Sequence, residues 1–217
     1  MTHKEFIDEV RNEYIKARKC IYLPKKNSEI LRRGTSRTIS AIAEDIFAAY
    51  CAEKASDLNG LEIIADPQIS FSGTGLRNVN DKKSLLIRPD IAICRNKKVE
   101  CLFDLKMDLG YKRGLFLNGV KDRNEQLNLI KGYGAKINGN PYVISNQIEL
   151  IYILLSEKNS AKGSHVINME SVKQFENINA FLLSNGAHLN AYHDNPIFKI
   201  NENEFTELDT LLEKYLS

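Results

Sequence analysis

The sequence predicts a mixed α/β domain ordered as helix, three antiparallel strands, helix and parallel strand, with helical additions at both ends. Three observations carry that class. Residues 88–94 and 99–107 are apolar runs with strand-like alternation, separated by the polar break Arg95-Asn96-Lys97-Lys98. Residues 39–50 place apolar side chains at helical spacing, and residues 148–155 form the nearly continuous apolar run of a strand buried on both faces.

Taken in order, residues 3–19 read as an amphipathic helix with Phe6, Ile7, Val10 and Tyr14 on one side, ended by Ile21-Tyr22-Leu23-Pro24. Residues 25–34 are polar and basic, after which Thr35 or Ser36 caps a second helix running to about Ala55. Its stripe is Ile39, Ile42, Ala43, Ile46, Phe47 and Tyr50, with Glu44 beside it and Asp45 as the competing inward acid. Residues 61–65 and 68–71 read as a first strand bent at Pro67. The loop opened by Gly73-Thr74-Gly75 lacks the GK[ST] ending of a phosphate loop and leads to a second strand near Leu85. After the third strand a helix is expected over about 122–136, with Leu127, Ile130 and Tyr133 on its apolar face. A strand, helix, strand connection of this kind is normally a right-handed crossover, which makes 148–155 a parallel neighbour. Residues 170–184 suggest a helix, 187–192 and 197–200 short strands, and Asn201 with Glu204 a capping box opening a terminal helix that buries Phe205, Leu208, Leu211, Leu212 and Tyr215.

The two central strands each carry an acid where an ordinary core strand would not. Alternation places Val99, Cys101, Phe103, Leu105 and Met107 on one face and Glu100, Asp104, Lys106 and Asp108 on the other. A turn centred on Lys97 sets Asp90 opposite Asp104, with Cβ atoms about 4.5 to 5.5 Å apart. Two carboxylates so close repel unless a proton or a cation lies between them, and magnesium is the hard ion suited to such oxygens. Lys106 points the same way.

Pro89-Asp90 and Asp104-Leu105-Lys106, fourteen positions apart from acid to acid, resemble the PD-(D/E)xK nucleases of the restriction-endonuclease-like fold. The motif is short, and Asp81-Lys82-Lys83 repeats its second half in a polar loop. The resemblance covers roughly residues 35–156 and implies a helix, three antiparallel strands, a helix and a parallel strand as the core. It implies Asp90, Asp104 and Glu44 as magnesium ligands, Glu44 touching the metal or its water, and Lys106 positioning the attacking water. Some branches carry a glutamine on the helix after the catalytic strand, followed four residues later by tyrosine; Gln126 matches, while Ile130 takes the tyrosine place. The resemblance is greatest to type II restriction endonucleases, which implies cleavage of double-stranded DNA to 5′-phosphate and 3′-hydroxyl ends. A structure-specific or repair nuclease on the same fold, and a non-catalytic DNA-binding protein whose acids and lysine form only a salt-bridge cluster, are the alternatives.

Composition bounds the rest. At 217 residues, 43% hydrophobic and 27% charged, the chain is expected to form one nuclease domain with its core at about 35–156 and a covering or dimerisation segment at 157–217. The N-terminus has no apolar signal region and no run is long enough to span a membrane, so a cytoplasmic location is expected. The four cysteines show no CxxC pairing and the four histidines no close spacing, so buried free thiols are expected in place of a zinc site. A formal net charge of +2 excludes a generic polycation, so nucleic-acid contacts must be concentrated on one face. Arg37, Arg77, Lys112, Arg113, Lys121 and Arg123 are the candidates, together with Lys25, Lys26, Arg32, Arg33, Lys82 and Lys83. Cutting both strands with one site per chain is simplest for a homodimer on a palindromic target.

Overall fold

The computed structural model describes residues 1–22, 39–72, 74–76, 84–109, 114–157, 169–186 and 198–217, with backbone only at 17–22 and 198. It is mixed α/β: a mostly antiparallel eight-stranded sheet with helices packed on it. Helix α1 (His3–Tyr22) begins in a capping box, Thr2 and Glu5 exchanging backbone-to-side-chain hydrogen bonds. Helix α2 (Ser40–Lys54) buries Ala43, Ile46, Phe47, Tyr50 and Cys51, whereas Ile42 from the expected stripe is 42% exposed. The expected cap at Thr35 or Ser36 lies outside the described residues; Ile39 stands at the cap position and makes no side-chain capping bond.

Strands β1 (Leu61–Ala65), β2 (Ile69–Ser70), β3 (Leu86–Ile87), β4 (Ile91–Arg95) and β5 (Lys98–Lys106) precede helix α3 (Phe116–Ile130). Strands β6 (Gly134–Ile137), β7 (Asn140–Leu154) and β8 (Ile178–Leu182) follow it. The sheet order is β1-β4-β5-β7-β6-β2-β3, with β8 beside β7. Pairing of β1 with β4 and of β4 with β5 is antiparallel, and β5 with β7 is parallel, as the crossover argument expects. A small second sheet joins β9 (Ser184–Gly186) to β10 (Phe198–Ile200), and helix α4 (Glu202–Leu216) closes the described chain.

Both faces of the sheet are covered. Phe103, Cys101, Ile91, Ile93, Ile151 and Ile153 pack under α1, α2 and α4, where Phe47 meets Phe103 edge-on at 5.4 Å between ring centroids. Leu102, Leu150, Tyr152 and Val99 face the side of α3, against Val120, Leu127 and Ile130. Truncating a side chain as enclosed as Phe103 costs about 3 to 5 kcal/mol. Cys51, Cys94 and Cys101 are buried free thiols, as expected, and burial pushes the Cys94 thiol up to about 12.

Several expectations are corrected. Residues 61–65 and 68–71 are not one bent strand: β1 lies at one edge of the sheet, while β2 pairs with β3 and β6 near the other. Asp66, at φ +46, begins the crossing. Helix α3 starts at Phe116 and not near Asp122, because Phe116 and Val120 extend the buried stripe toward the N-terminus. It also stops at Ile130, leaving Tyr133 outside and 42% exposed. Gly132 at φ +74 turns the chain, and Asn138-Gly139, both at positive φ, make a tight hairpin that converts residues 134–137 into β6. The 170–184 helix is mostly replaced by β8, since Ala180, Phe181 and Leu182 pair in parallel with Tyr152, Ile153 and Leu154. Short apolar runs of this kind do not distinguish helix from strand by periodicity. Glu204 does not close a capping box; its carboxylate accepts from the Leu182 amide at 3.2 Å, and Asn201 makes no side-chain capping bond. The expected strand at 187–192 lies outside the described residues.

Candidate active site

The acids sit where β4 begins and β5 ends. Asn96 and Lys97, at φ +51 and +62, form a two-residue hairpin turn, and a register shift between Ile93 and Cys94 then leaves Glu100 as an extra residue. Turn and bulge together give Ile91 opposite Phe103, the last pair of the ladder, and Asp90 and Asp104 lie just beyond it, one on each side. The bulge also reverses side-chain parity: Val99 faces α3, while Cys101, Phe103 and Leu105 face the other helices, which corrects the single alternating face expected for all four.

Pro89 explains how Asp90 is aimed. Its ring carries no N–H, and β4 begins only at Ile91. The Asp90 amide donates to the Phe103 carbonyl at 2.9 Å, and the Asp90 carboxylate accepts from the Leu105 amide at 2.5 Å. The Asp90 side chain is thereby held across the end of β5. On that strand Lys106 makes an ion pair with Asp104, whose side chain is 16% exposed against 40% for the lysine.

Charge is unevenly balanced here. Burial, then the neighbouring Asp104, pushes the Asp90 carboxyl up to about 7, although the Leu105 amide and Lys106 act the other way. Glu44 comes from α2, half-buried, while Asp45 is exposed, so Glu44 is the inward acid. Burial raises the Glu44 carboxyl, and the charges of Asp66, Asp45 and Asp104 add to that against the opposing pull of Lys106. Asp66 joins this group without having been expected: its amide donates to the Asp90 carbonyl at 2.7 Å. The Asp66-Pro67 pair after an apolar strand was the available signal.

On the α3 side, Asp104 lines a small cavity with Ile87, Pro89, Leu102, Leu127, Leu150, Arg123 and Gln126. Arg123 donates to the Gln126 side-chain oxygen at 2.6 Å. Tyr152, paired with Asp104 in the β5–β7 register, is buried with its ring edge-on to Phe116. Lys121 is exposed and lies 4.0 Å from Glu125, which offsets its charge. Arg37, Arg77, Lys112 and Arg113, like Lys25, Lys26, Arg32, Arg33, Lys82 and Lys83, lie outside the described residues.

Among the described residues no group of three or more His, Cys, Asp or Glu is arranged to hold a metal ion. Glu44 feels the charges of Asp104 and Lys106 from α2. The Asp90 and Asp104 pair does fit a hard divalent cation, since magnesium takes one or two protein carboxylates and keeps water and substrate oxygens in its other positions. A buried acid raised by a like charge is the condition that such a cation relieves.

The chain matches no protein-family model, no curated protein and no solved structure. No helix among the described residues is long and apolar enough to cross a membrane.

Proposed function

We propose that the protein is a magnesium-dependent endonuclease that hydrolyses DNA phosphodiester bonds, of the PD-(D/E)xK kind and most like a type II restriction endonuclease. One observation carries the reading: paired strands bring Asp90 and Asp104 together just beyond the Ile91–Phe103 pair, with Lys106 on the second acid, and the two acids are short of positive charge. The order α2, β1, β4, β5, α3, β7, with β7 parallel to β5, agrees with a restriction-endonuclease-like core.

Asp90 and Asp104 would hold the magnesium ion, which when bound supplies charge neutralisation at the phosphate and lowers the pKa of a bound water. Lys106, held on Asp104, orients the attacking water and offsets the charge it gains as its proton leaves. Glu44 faces the same space from α2 and accepts a hydrogen bond from that water. Water oxygen attacks phosphorus as the bond to the 3′ oxygen breaks in line; the 3′ oxygen takes up a proton from solvent, leaving 5′-phosphate and 3′-hydroxyl ends. Lys121 and Arg123 on α3 belong to the DNA-facing side. Two chains related by a two-fold axis cut both strands of a palindromic site, in the cytoplasm where the DNA lies.

Supercoiled plasmid incubated with purified protein and magnesium, then sequenced at its ends, tests this. Discrete fragments with 5′-phosphates that disappear with EDTA and with Asp104→Asn are expected. An uncut plasmid across divalent metals overturns the reading, and smeared or branch-selective cutting moves it to a repair-type nuclease.

A further inference from the structure

Helix α3 carries an arginine where its own pattern calls for an apolar residue. Phe116, Val120, Arg123, Leu127 and Ile130 follow each other at spacings of four, three, four and three, the inward stripe of an amphipathic helix. The other four are buried; Arg123, at the centre, is half-buried. Its guanidinium donates to a neutral amide, Gln126, and no carboxylate among the described residues pairs with it.

Arg95 shows what a structural arginine looks like in this fold. It donates to the Asp57 carboxylate at 3.1 Å and to the backbone carbonyls of Asn59, Tyr215 and Ser217, so its charge and its fork are both satisfied. Arg123 has an orienting partner and no ion pair among the described residues. A partly buried cation left in that condition costs stability, and an anion arriving from outside would recover it. The direction of approach is set by the cavity that Arg123 and Gln126 share with Asp104. The Tyr152 hydroxyl, beside Asp104 in the sheet, feels both Asp104 and Arg123, with opposite sign.

We propose that Arg123, oriented by Gln126, binds the phosphate that this site cleaves, its planar fork contacting a non-bridging oxygen. The proposal rests on the phosphodiester-hydrolase reading of Asp90 and Asp104. It gives the reaction a second source of positive charge beside Lys106, on the opposite side of Asp104 from α2. A guanidinium suits this role because it stays charged at every working pH and matches two phosphate oxygens at once. Gln126 is a positioning residue: it holds the fork and touches no reacting atom.

The test uses Arg123→Met, Arg123→Lys and Gln126→Leu in the full chain. Binding of a plasmid-derived duplex of about 20 base pairs is measured with calcium in place of magnesium over a range of salt, and cleavage is measured separately with magnesium. Arg123→Met should reduce the slope of log affinity against log salt by about one contact and lower the cleavage rate by about 10² to 10³. Its melting temperature should equal or exceed that of the wild type, because an apolar residue now completes the stripe. Arg123→Lys should keep the salt slope and lose about tenfold or more in rate, since a point charge replaces a fork. Gln126→Leu should also keep the slope and lose rate. An unchanged salt slope for Arg123→Met overturns the proposal whether or not the protein cuts DNA. A reduced slope in a protein that cuts nothing overturns the nuclease reading and leaves Arg123 as a phosphate contact. A lower melting temperature for both Arg123 variants together with wild-type cleavage assigns the arginine to structure and overturns the proposal.

Discussion

At Asp209, on α4, a single carboxylate receives hydrogen bonds from Tyr50 at 2.6 Å, Lys54 at 2.7 Å and His3 at 2.9 Å. At Asp90 and Asp104, two carboxylates share one ammonium and one backbone amide. Both centres are partly buried and both use side chains from distant parts of the sequence, yet their balances are opposite. Burial would raise the Asp209 carboxyl, but its three donors outweigh that and hold it below the ordinary range; Asp90 is pushed up to about 7. Asp209 ties α1, α2 and α4 together, with His3 also stacked 4.5 Å from Phe205. Asp209 completes its own environment and holds helices together, whereas Asp90 and Asp104 do not complete theirs, the condition that marks a candidate site.

The largest effect that could break this division is on cleavage. Asp104→Asn and Lys106→Ala should each lower the rate by on the order of a thousandfold or more while changing the melting temperature little, because both side chains stand at the open end of β5. Asp209→Asn should do the reverse. Removing the charge breaks the ion pair with Lys54 and leaves one acceptor oxygen where Tyr50, Lys54 and His3 had two, a loss of about 2 to 3 kcal/mol allowing for partial exposure, read as a drop of roughly 5 to 10 °C by calorimetry. Cleavage by the folded fraction should be unchanged. Near wild-type cutting by Lys106→Ala, or a thermal shift for Asp104→Asn as large as that of Asp209→Asn, would erase the distinction.

A smaller effect sharpens it. Magnesium at tenfold over its dissociation constant should stabilise the wild type by about 1.4 kcal/mol. Asp90→Asn should abolish that gain, and in EDTA it should melt above the wild type, because the amide still accepts from Leu105 and no longer repels Asp104. Thermal scans with and without metal decide it; equal magnesium responses in the two proteins would remove Asp90 from the ligand set.

The sequence makes these two centres unequally visible. Asp90, Asp104 and Lys106 are legible because they interrupt apolar alternation within one hairpin, and Glu44 because it borders a helical stripe. A turn centred on Lys97 is replaced by the two-residue turn at Asn96 and Lys97 plus a bulge at Glu100, and both arrangements set Ile91 opposite Phe103, next to the acids. The parity reversal at Val99 had no sequence signal. Nor did the Asp209 centre, because His3, Tyr50, Lys54 and Asp209 each look ordinary on their own helix and meet only through tertiary packing. Arg123 is legible as a basic residue near the site, but its place at the middle of the stripe depends on where α3 starts, and Phe116 and Val120 carry that start six residues before the expected one.

The smallest expected effect is on the two limbs of the pH–stability curve, measured in EDTA. For Asp209 the folded pKa lies below the ordinary value of about 3.9, so the unfolded chain binds more protons in acid and stability rises with pH there. Its contribution is complete above that ordinary value and is lost as pH falls through the folded pKa. For Asp90 the sign is reversed: with a folded pKa of about 7, the folded chain holds the proton longer, and stability is lost as pH rises from near 4 through 7. The two acids therefore predict a maximum near pH ~4, with Asp209→Asn flattening the acid limb and Asp90→Asn the alkaline limb. Saturating magnesium should flatten the alkaline limb of the wild type as well, because the bound cation favours the ionised Asp90. An alkaline limb that keeps its slope in Asp90→Asn would show that the carboxylate pair is balanced by other groups, and the contrast between a satisfied and an unsatisfied centre would no longer distinguish structure from site.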